Sequence, residues 1–368
     1  MAPTRRTYAR VISLLLVLYA FLVGLDLMGL AFKLFGGDFA ETLITTTANP
    51  FVGLFVGILA TSVVQSSSTT TSIAVGLVAV NAVTLQGAIP IIMGANIGTS
   101  VTNTIVSLAH VTRREEFQRA FAGATLHDFF NWLAVLILFP LEYFTGYLAR
   151  TSTLLTRLLE DVGGIELFNP LKTIVRPAAE AIAALTGESG GLSLILGLVL
   201  LMGSLKLLVD LLKVIMSERA EQILHRTLFR SAAAAVVAGT LMTVMVQSSS
   251  ITTSAIVPLV GAGVVTLEQL FPFTIGANIG TTITAMLAAL STGSPAAVSV
   301  AFAHLMFNIT GALIIYVPPV MRRIPLALAR GLGKLASENR LLAAVYIVVV
   351  FFGIPLLLLF FSGVFSGN

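Results

Sequence analysis

The chain has 368 residues, 57% of them hydrophobic and 10% charged, with a net charge of +4 and a mean hydropathy of +0.98. Soluble domains carry roughly 25% charged residues, so the composition excludes a soluble globular protein and points to an integral membrane protein whose surroundings are the lipid bilayer. The absence of cysteine excludes disulfides and thiolate metal sites, and the basic residues sit in short loops, where they orient helices and do not imply nucleic acid.

In chain order, Arg5, Arg6 and Arg10 precede an apolar run that predicts a retained first helix over 11–32, with the N-terminus cytoplasmic. Residues 36–49 read as a polar outer segment. The stretch 50–80 is too polar at its middle for one spanning helix, and its arms, 50–64 and 69–80, are each shorter than the roughly 17 residues a crossing needs. A re-entrant hairpin fits, with Gln65-Ser66-Ser67-Ser68-Thr69 at its tip. Residues 84–110 are long enough to cross, with a helix break predicted at Gly94 to Gly98. The loop with Arg113, Arg114 and Arg119 reads as cytoplasmic, and 120–142 crosses outward. An outer connecting loop is predicted over 144–191.

The plan then repeats. Residues 192–214 cross inward, and 217–230 read as an amphipathic cytoplasmic stretch. A second hairpin follows over 232–262, a second broken helix over 266–290 with its break at Gly276 to Gly280, and a helix over 296–317. The segment 322–368 supplies an extra C-terminal helix over 341–361, outside the duplication, which leaves the C-terminus outside.

The duplication rests on two motifs. Gln65-Ser66-Ser67-Ser68 returns as Gln247-Ser248-Ser249-Ser250, and Gly94-Ala95-Asn96-Ile97-Gly98-Thr99 returns as Gly276-Ala277-Asn278-Ile279-Gly280-Thr281, each 182 residues later. Residues 1–143 and 192–321 are therefore two repeats. Three crossings separate the hairpins, and an odd number makes the second enter from the opposite face. The fold class read from this is an all-α membrane protein of inverted repeats, the architecture of many secondary transporters.

The chemistry follows from helix ends. Both hairpin tips and both helix breaks start a helix, so four N-termini are predicted to face the centre, about +2 in sum, partly offset by nearby C-termini. Such donors suit an oxyanion, while Ser, Thr, Gln and Asn oxygens with C-terminal carbonyls suit an alkali cation. Gly94, Gly98, Gly276 and Gly280 permit the breaks. Asp128 lies inside the third helix, where a carboxylate marks an ion path or, at a helix end, pairs with Arg119 or Arg113. His127 and Asn131 are echoed by His304 and Asn308, but Asp128 by Leu305. The two histidines read as helix-packing hydrogen bonders. No metal-spaced cluster and no catalytic triad is readable.

These residues resemble the type II sodium-dependent phosphate cotransporters, in both doubled motifs, in Thr99 to Val106 and in Arg119 to Trp132. The resemblance spans roughly 10–360 and implies a sodium-coupled symporter importing inorganic phosphate, electrogenic and elevator-like, with co-transported sodium and no enzymatic activity. It implies phosphate at Gln65, Ser66, Ser67, Ser68, Thr69, Gln247, Ser248, Ser249 and Ser250. Sodium is implied at Ser66, Thr69, Asn96, Thr99, Asp128, Asn131, Ser248, Asn278 and Thr281, with Asp128 at the position that distinguishes electrogenic members. His110 and Arg113 depart from the Gln and Asp of animal members. A short connecting loop without cysteine favours a bacterial plasma membrane. Alternatives are a sodium-coupled carrier of another small oxyanion or a dicarboxylate, an anion channel, and an intramembrane hydrolase. The oligomeric state is not legible.

Overall fold

A computed structural model describes residues 5–35, 45–163, 170–216 and 231–362. The predicted stretch 217–230 and most of 36–49 lie outside these residues. The described residues form helices and their connections, with no strand among them. Six segments are long and apolar enough to cross a membrane: Ile12–Ala31, Leu85–His110, Arg114–Thr145, Leu267–Thr292, Pro295–Tyr316 and Arg340–Phe361.

The first, α1 (Arg5–Leu34), precedes a hairpin of α2 (Pro50–Val64) and α3 (Ser67–Ala79). Asn49 starts α2 by accepting the Phe51 N–H at 3.0 Å. Fifteen residues rise only about 22 Å, short of a bilayer core of about 30 Å, so the chain turns back inside. Next come α4 (Leu85–Thr99), α5 (Val101–Ser107) and the long α6 (Arg114–Thr145).

The connection predicted as an outer loop over 144–191 contains two amphipathic helices, α7 (Tyr147–Gly163) and α8 (Pro170–Leu185). Their buried residues recur every fourth position, Leu148, Ser152 and Thr156 on α7, then Val175, Ala179 and Ala183 on α8. That helical stripe is sparse and small, and the glycines and prolines beside it masked it in the sequence.

The second half opens with α9 (Gly190–Met216), packed along α1. Its hairpin runs up α10 (Ala232–Val246) and returns in two pieces, α11 (Ser249–Ser254) and α12 (Val257–Gly261). Pro258, which has no N–H to donate to the preceding turn, accounts for the division. Then follow α13 (Leu267–Thr292) and α14 (Pro295–Gly311), whose last residues widen into a π-turn at Ala312–Tyr316.

The helices do not break at the predicted glycines. α4 continues through Gly94 and Gly98 and is interrupted only at Ser100, and α13 continues through Gly276 and Gly280. These glycines bring helices together instead. A Cβ on Gly94 would overlap the carbonyl oxygen of Leu54, and one on Gly57 that of Ile91. The second half repeats this, Gly276 against the Val236 carbonyl and Gly239 against the Phe273 carbonyl. In both halves the first hairpin arm lies backbone to backbone on the next helix, as small residues allow in membranes. The second half therefore has no helix N-terminus at its predicted break, and the first has only that of the short α5, entered through a Ser100 that stays in the right-handed helical region, so the dipole charge aimed at the centre falls to about +1.

An amphipathic helix that was not predicted, α15 (Pro319–Glu338), lies along α6, and the last helix predicted over 341–361 follows as the apolar span Arg340–Phe361, whose parts are α16 (Arg340–Val348) and α17 (Ile354–Phe361).

The halves interlock by exchange. α6 of the first half packs on α12 and α13 of the second, while α14 of the second packs on α3 and α4 of the first. α6 also serves as a ruler. The base of the first hairpin meets its C-terminal end, with Phe51 5.0 Å from Phe139 and 6.4 Å from Tyr143 between ring centres. The base of the second meets its N-terminal end, where Arg119 Nε donates to the Gly261 carbonyl at 2.8 Å. Residues 119 and 139 are about 30 Å apart along a helix, one bilayer core.

Candidate functional site

Both hairpin tips have the same construction. Gln65 ends α2 in the left-handed region at φ 55°, and Gln247 ends α10 at φ 54°. A left-handed backbone is uncommon for a glutamine, and finding it twice at one register marks a position held by its surroundings. The next serine is extended and caps the returning helix. Ser66 Oγ accepts the Thr69 N–H at 3.2 Å, and Ser248 Oγ accepts the Ile251 N–H at 3.3 Å. Two helix N-termini thus lie at the tips, flanked by buried hydroxyls at Ser67, Ser68, Thr69, Ser249 and Ser250.

The tips meet. Ser68 Oγ donates to the Gln247 carbonyl at 3.2 Å, and its counterpart Ser250 reaches back to the Thr99 carbonyl at 3.5 Å. Each serine thus crosses into the other half. The glutamines themselves differ. Gln247 is 9% exposed, donates Nε2 to the Val244 carbonyl and accepts the Thr284 hydroxyl at 2.8 Å. Gln65 is exposed, and the hydroxyl of Thr102, the residue in register with Thr284, is buried without a partner.

Below the tips runs one directional chain of hydrogen bonds. Ser254 Oγ donates to Asn103 Oδ1 at 2.7 Å, and Asn103 Nδ2 lies 3.3 Å from His127 Nδ1. His127 Nε2 lies 2.7 Å from Asn278 Oδ1. Asn278 Nδ2 donates to Asn131 Oδ1 at 2.9 Å, and Asn131 Nδ2 to the Asn96 carbonyl at 2.7 Å. An imidazole protonated on Nε2 satisfies every link. The chain ties α4, α5, α6, α11 and α13 into one polar centre, and its members are almost wholly buried except the half-buried Ser254.

The predicted residues divide accordingly. Asn96, Asn131 and Asn278 converge in the polar centre, and Ser68, Gln247, Ser250 and Thr99 converge where the tips touch. Thr99 and Thr281 donate their hydroxyls to the carbonyls of Ala95 and Ala277, which leaves the oxygen lone pairs free to accept. Asp128 stands apart from this chain. It is fully buried, and neither Arg113 nor Arg119 pairs with it. Its Oδ2 accepts the Tyr346 hydroxyl of α16 at 3.1 Å. Sequence reasoning missed Asn103, Thr253, Ser254, Thr284 and Tyr346 as site residues, and gave His127 only a packing role. Thr253 and Ser254 continue the hydroxyl run after Ser250, as Thr71 and Ser72 continue it after Ser68 at the same 182-residue offset, and were legible there, whereas Tyr346 lies outside the duplication and carried no signal.

Chemically the centre offers neutral amide, hydroxyl and carbonyl oxygens beside two helix N-termini, with no cluster of three or more His, Cys, Asp or Glu residues among the described ones. Such oxygens are hard ligands of the kind alkali cations take. Two cavities lie away from this centre. One of about 560 Å³ is lined by Arg119, Glu268, Arg330 and Lys334, and one of about 580 Å³ by Phe51, Trp132, Phe139 and Phe144.

Fold and site together define a multi-pass α-helical membrane protein of two related halves that share a buried polar centre. Residues 20–147 and 200–329 match the family described as Na+/Pi-cotransporter, one stretch in each half, and the chain belongs to that family. It is 35% identical to sodium-dependent phosphate transport protein 2B of Homo sapiens, over 94% of this chain and 64% of that protein. It is 38% identical to protein 2A of Rattus norvegicus, over 92% and 65%, and 36% identical to protein 2A of Ovis aries, over 95% and 67%. The chain spans just under two thirds of the length of the curated 2B relatives it matches. No solved structure matches it.

Proposed function

We propose that this protein is a sodium-coupled symporter that carries inorganic phosphate across a bacterial plasma membrane. Phosphate is held between the two hairpin tips, by Gln65, Ser66, Ser67, Ser68 and Thr69 from one side and Gln247, Ser248, Ser249 and Ser250 from the other. The N–H groups at both helix starts supply its donors. Sodium is held by the oxygens around it, from Ser66, Thr69, Asn96, Thr99, Asn131, Ser248, Asn278 and Thr281.

One observation carries this reading: Ser68 touches Gln247, although the bases of their hairpins lie at opposite ends of α6. It supports inverted insertion of the two repeats, with a site at mid-membrane that either face can reach in turn. The family names of the relatives support the choice of sodium and phosphate. Alternating access then requires the hairpins, with α4 and α13 fixed to them backbone to backbone, to move as bodies against the remaining helices. Asp128, fully buried and held by Tyr346, is the group whose charge makes the cycle electrogenic.

Reconstitution into sealed vesicles tests the proposal. Phosphate uptake is expected to follow an inward sodium gradient and to resist excess sulfate or succinate. Equal uptake with potassium in place of sodium overturns the coupling, and full competition by a dicarboxylate transfers the site to that substrate class.

A further inference from the structure

The duplication provides an internal control. Counting by the 182-residue offset of the motifs, Asn103 corresponds to Ala285 and Ser254 to Ser72. On the following helices His127 and Asn131 correspond to His304 and Asn308. In the first half the Asn103 amide joins Ser254 to Nδ1 of the His127 ring, and Nε2 meets Asn278. In the second half a methyl group stands at the register of that amide.

The consequences appear atom by atom. The Ser72 hydroxyl, both ring nitrogens of His304 and Asn308 Oδ1 are buried without a hydrogen-bond partner. Ser72, Ala285 and His304 are 0% exposed and Asn308 is 1% exposed. The helices that carry them, α3, α13 and α14, pack on one another, and Val75, Ala285, Ala289 and Val300 belong to one apolar cluster around them. Asn96, which by register would answer Asn308, donates instead to the Ile92 carbonyl of its own helix.

We propose that the second half contains an internal hydration site of two positions. One water takes the place of the Asn103 amide and joins Ser72 to the near nitrogen of His304. A second joins the far nitrogen to Asn308 Oδ1. An amide group is close in size to one water, whose share of liquid volume is about 30 Å³. Leaving four buried polar atoms unmet costs more than immobilising two waters. The choice of water over a cation follows from the imidazole. A neutral ring presents one N–H, which donates to a water oxygen and keeps a metal ion from the position it faces, and neither position offers more than one side-chain oxygen from Ser72 or Asn308, far short of the set a hard cation takes. The joint between α14 and the first hairpin is then made through exchangeable molecules, whereas its counterpart at α6 is made by side chains. This holds whatever the protein carries.

Substitution at Ala285 tests it. Ala285→Asn restores the missing amide, displaces the first water and is expected to raise the unfolding temperature of the purified protein by a few degrees, equally in sodium and potassium. Ala285→Val fills the same volume without hydrogen bonds and is expected to lower it. A fall with Asn, whatever Val does, would mean a dry joint. A gain from Asn in only one of the two salts would mean a cation occupant. Either result overturns the proposal. Should neither variant fold, a high-resolution map of the wild-type protein decides: density within hydrogen-bond distance of Ser72 Oγ and a His304 nitrogen supports the site, and continuous apolar contact there refutes it.

Discussion

Ser68 and Ser250 sit at one register in the two halves, and each reaches a backbone carbonyl of the other half. A serine in that position holds the tips together and also offers a hydroxyl to whatever lies between them. Removing both hydroxyls by Ser68→Ala and Ser250→Ala is expected to weaken phosphate affinity at least tenfold, about 1.4 kcal/mol, with the melting curve little changed. Wild-type affinity would remove these serines from the site. Asp128 was legible as a buried carboxylate, because such a group inside an apolar helix is costly. Its partner was not, since Tyr346 is more than two hundred residues away and belongs to neither repeat. Asp128→Asn is expected to leave phosphate uptake while reducing the current that accompanies each phosphate, and an unchanged current per phosphate would contradict its role. The difference between Gln65 and Gln247 was not legible either. Their sequences are alike, and only the neighbours decide which one is latched.

At the scale of elements, the hairpins were readable because length decides them: arms of fifteen residues cannot cross. The breaks at Gly94 and Gly276 were misread because a glycine in an apolar helix has two physical uses, to interrupt it or to admit a neighbour, and only the neighbour distinguishes them. Here the neighbour is the first arm of each hairpin, in contact with the glycine through its backbone. Adding a methyl at Gly94 therefore forces apart two backbones that have no soft side chain between them. Gly94→Ala is expected to destabilise the protein by about 3 kcal/mol, at the upper end of overpacking costs. Gly331 in α15 has nothing within 4 Å of a new Cβ, so Gly331→Ala is expected to stabilise by up to about 1 kcal/mol through helix propensity. Thermal unfolding of the two variants side by side checks both signs. If Gly94→Ala were neutral, the backbone contact with α2 would not be a determinant of the fold.

On the scale of the whole molecule, the two halves are closely similar in plan and unequal in detail. One tip is latched by Thr284, one helix carries Asp128, one joint is closed by Asn103, and α15 to α17 stand outside the duplication, α15 along α6 and α17 against α2. The duplication itself was legible from a constant spacing. The inequality was only partly legible, because it depends on which residue of one half faces which residue of the other. What the account requires above all is that both tips line one site. The protein has no native cysteine, so Ser66→Cys and Ser248→Cys each provide a single reporter thiol. The most direct measurement is the rate of modification of these two thiols by a small reagent, with sodium and phosphate added separately and together. If both tips line one site, the two ligands together protect both cysteines. Protection of only one, or of neither, would contradict it.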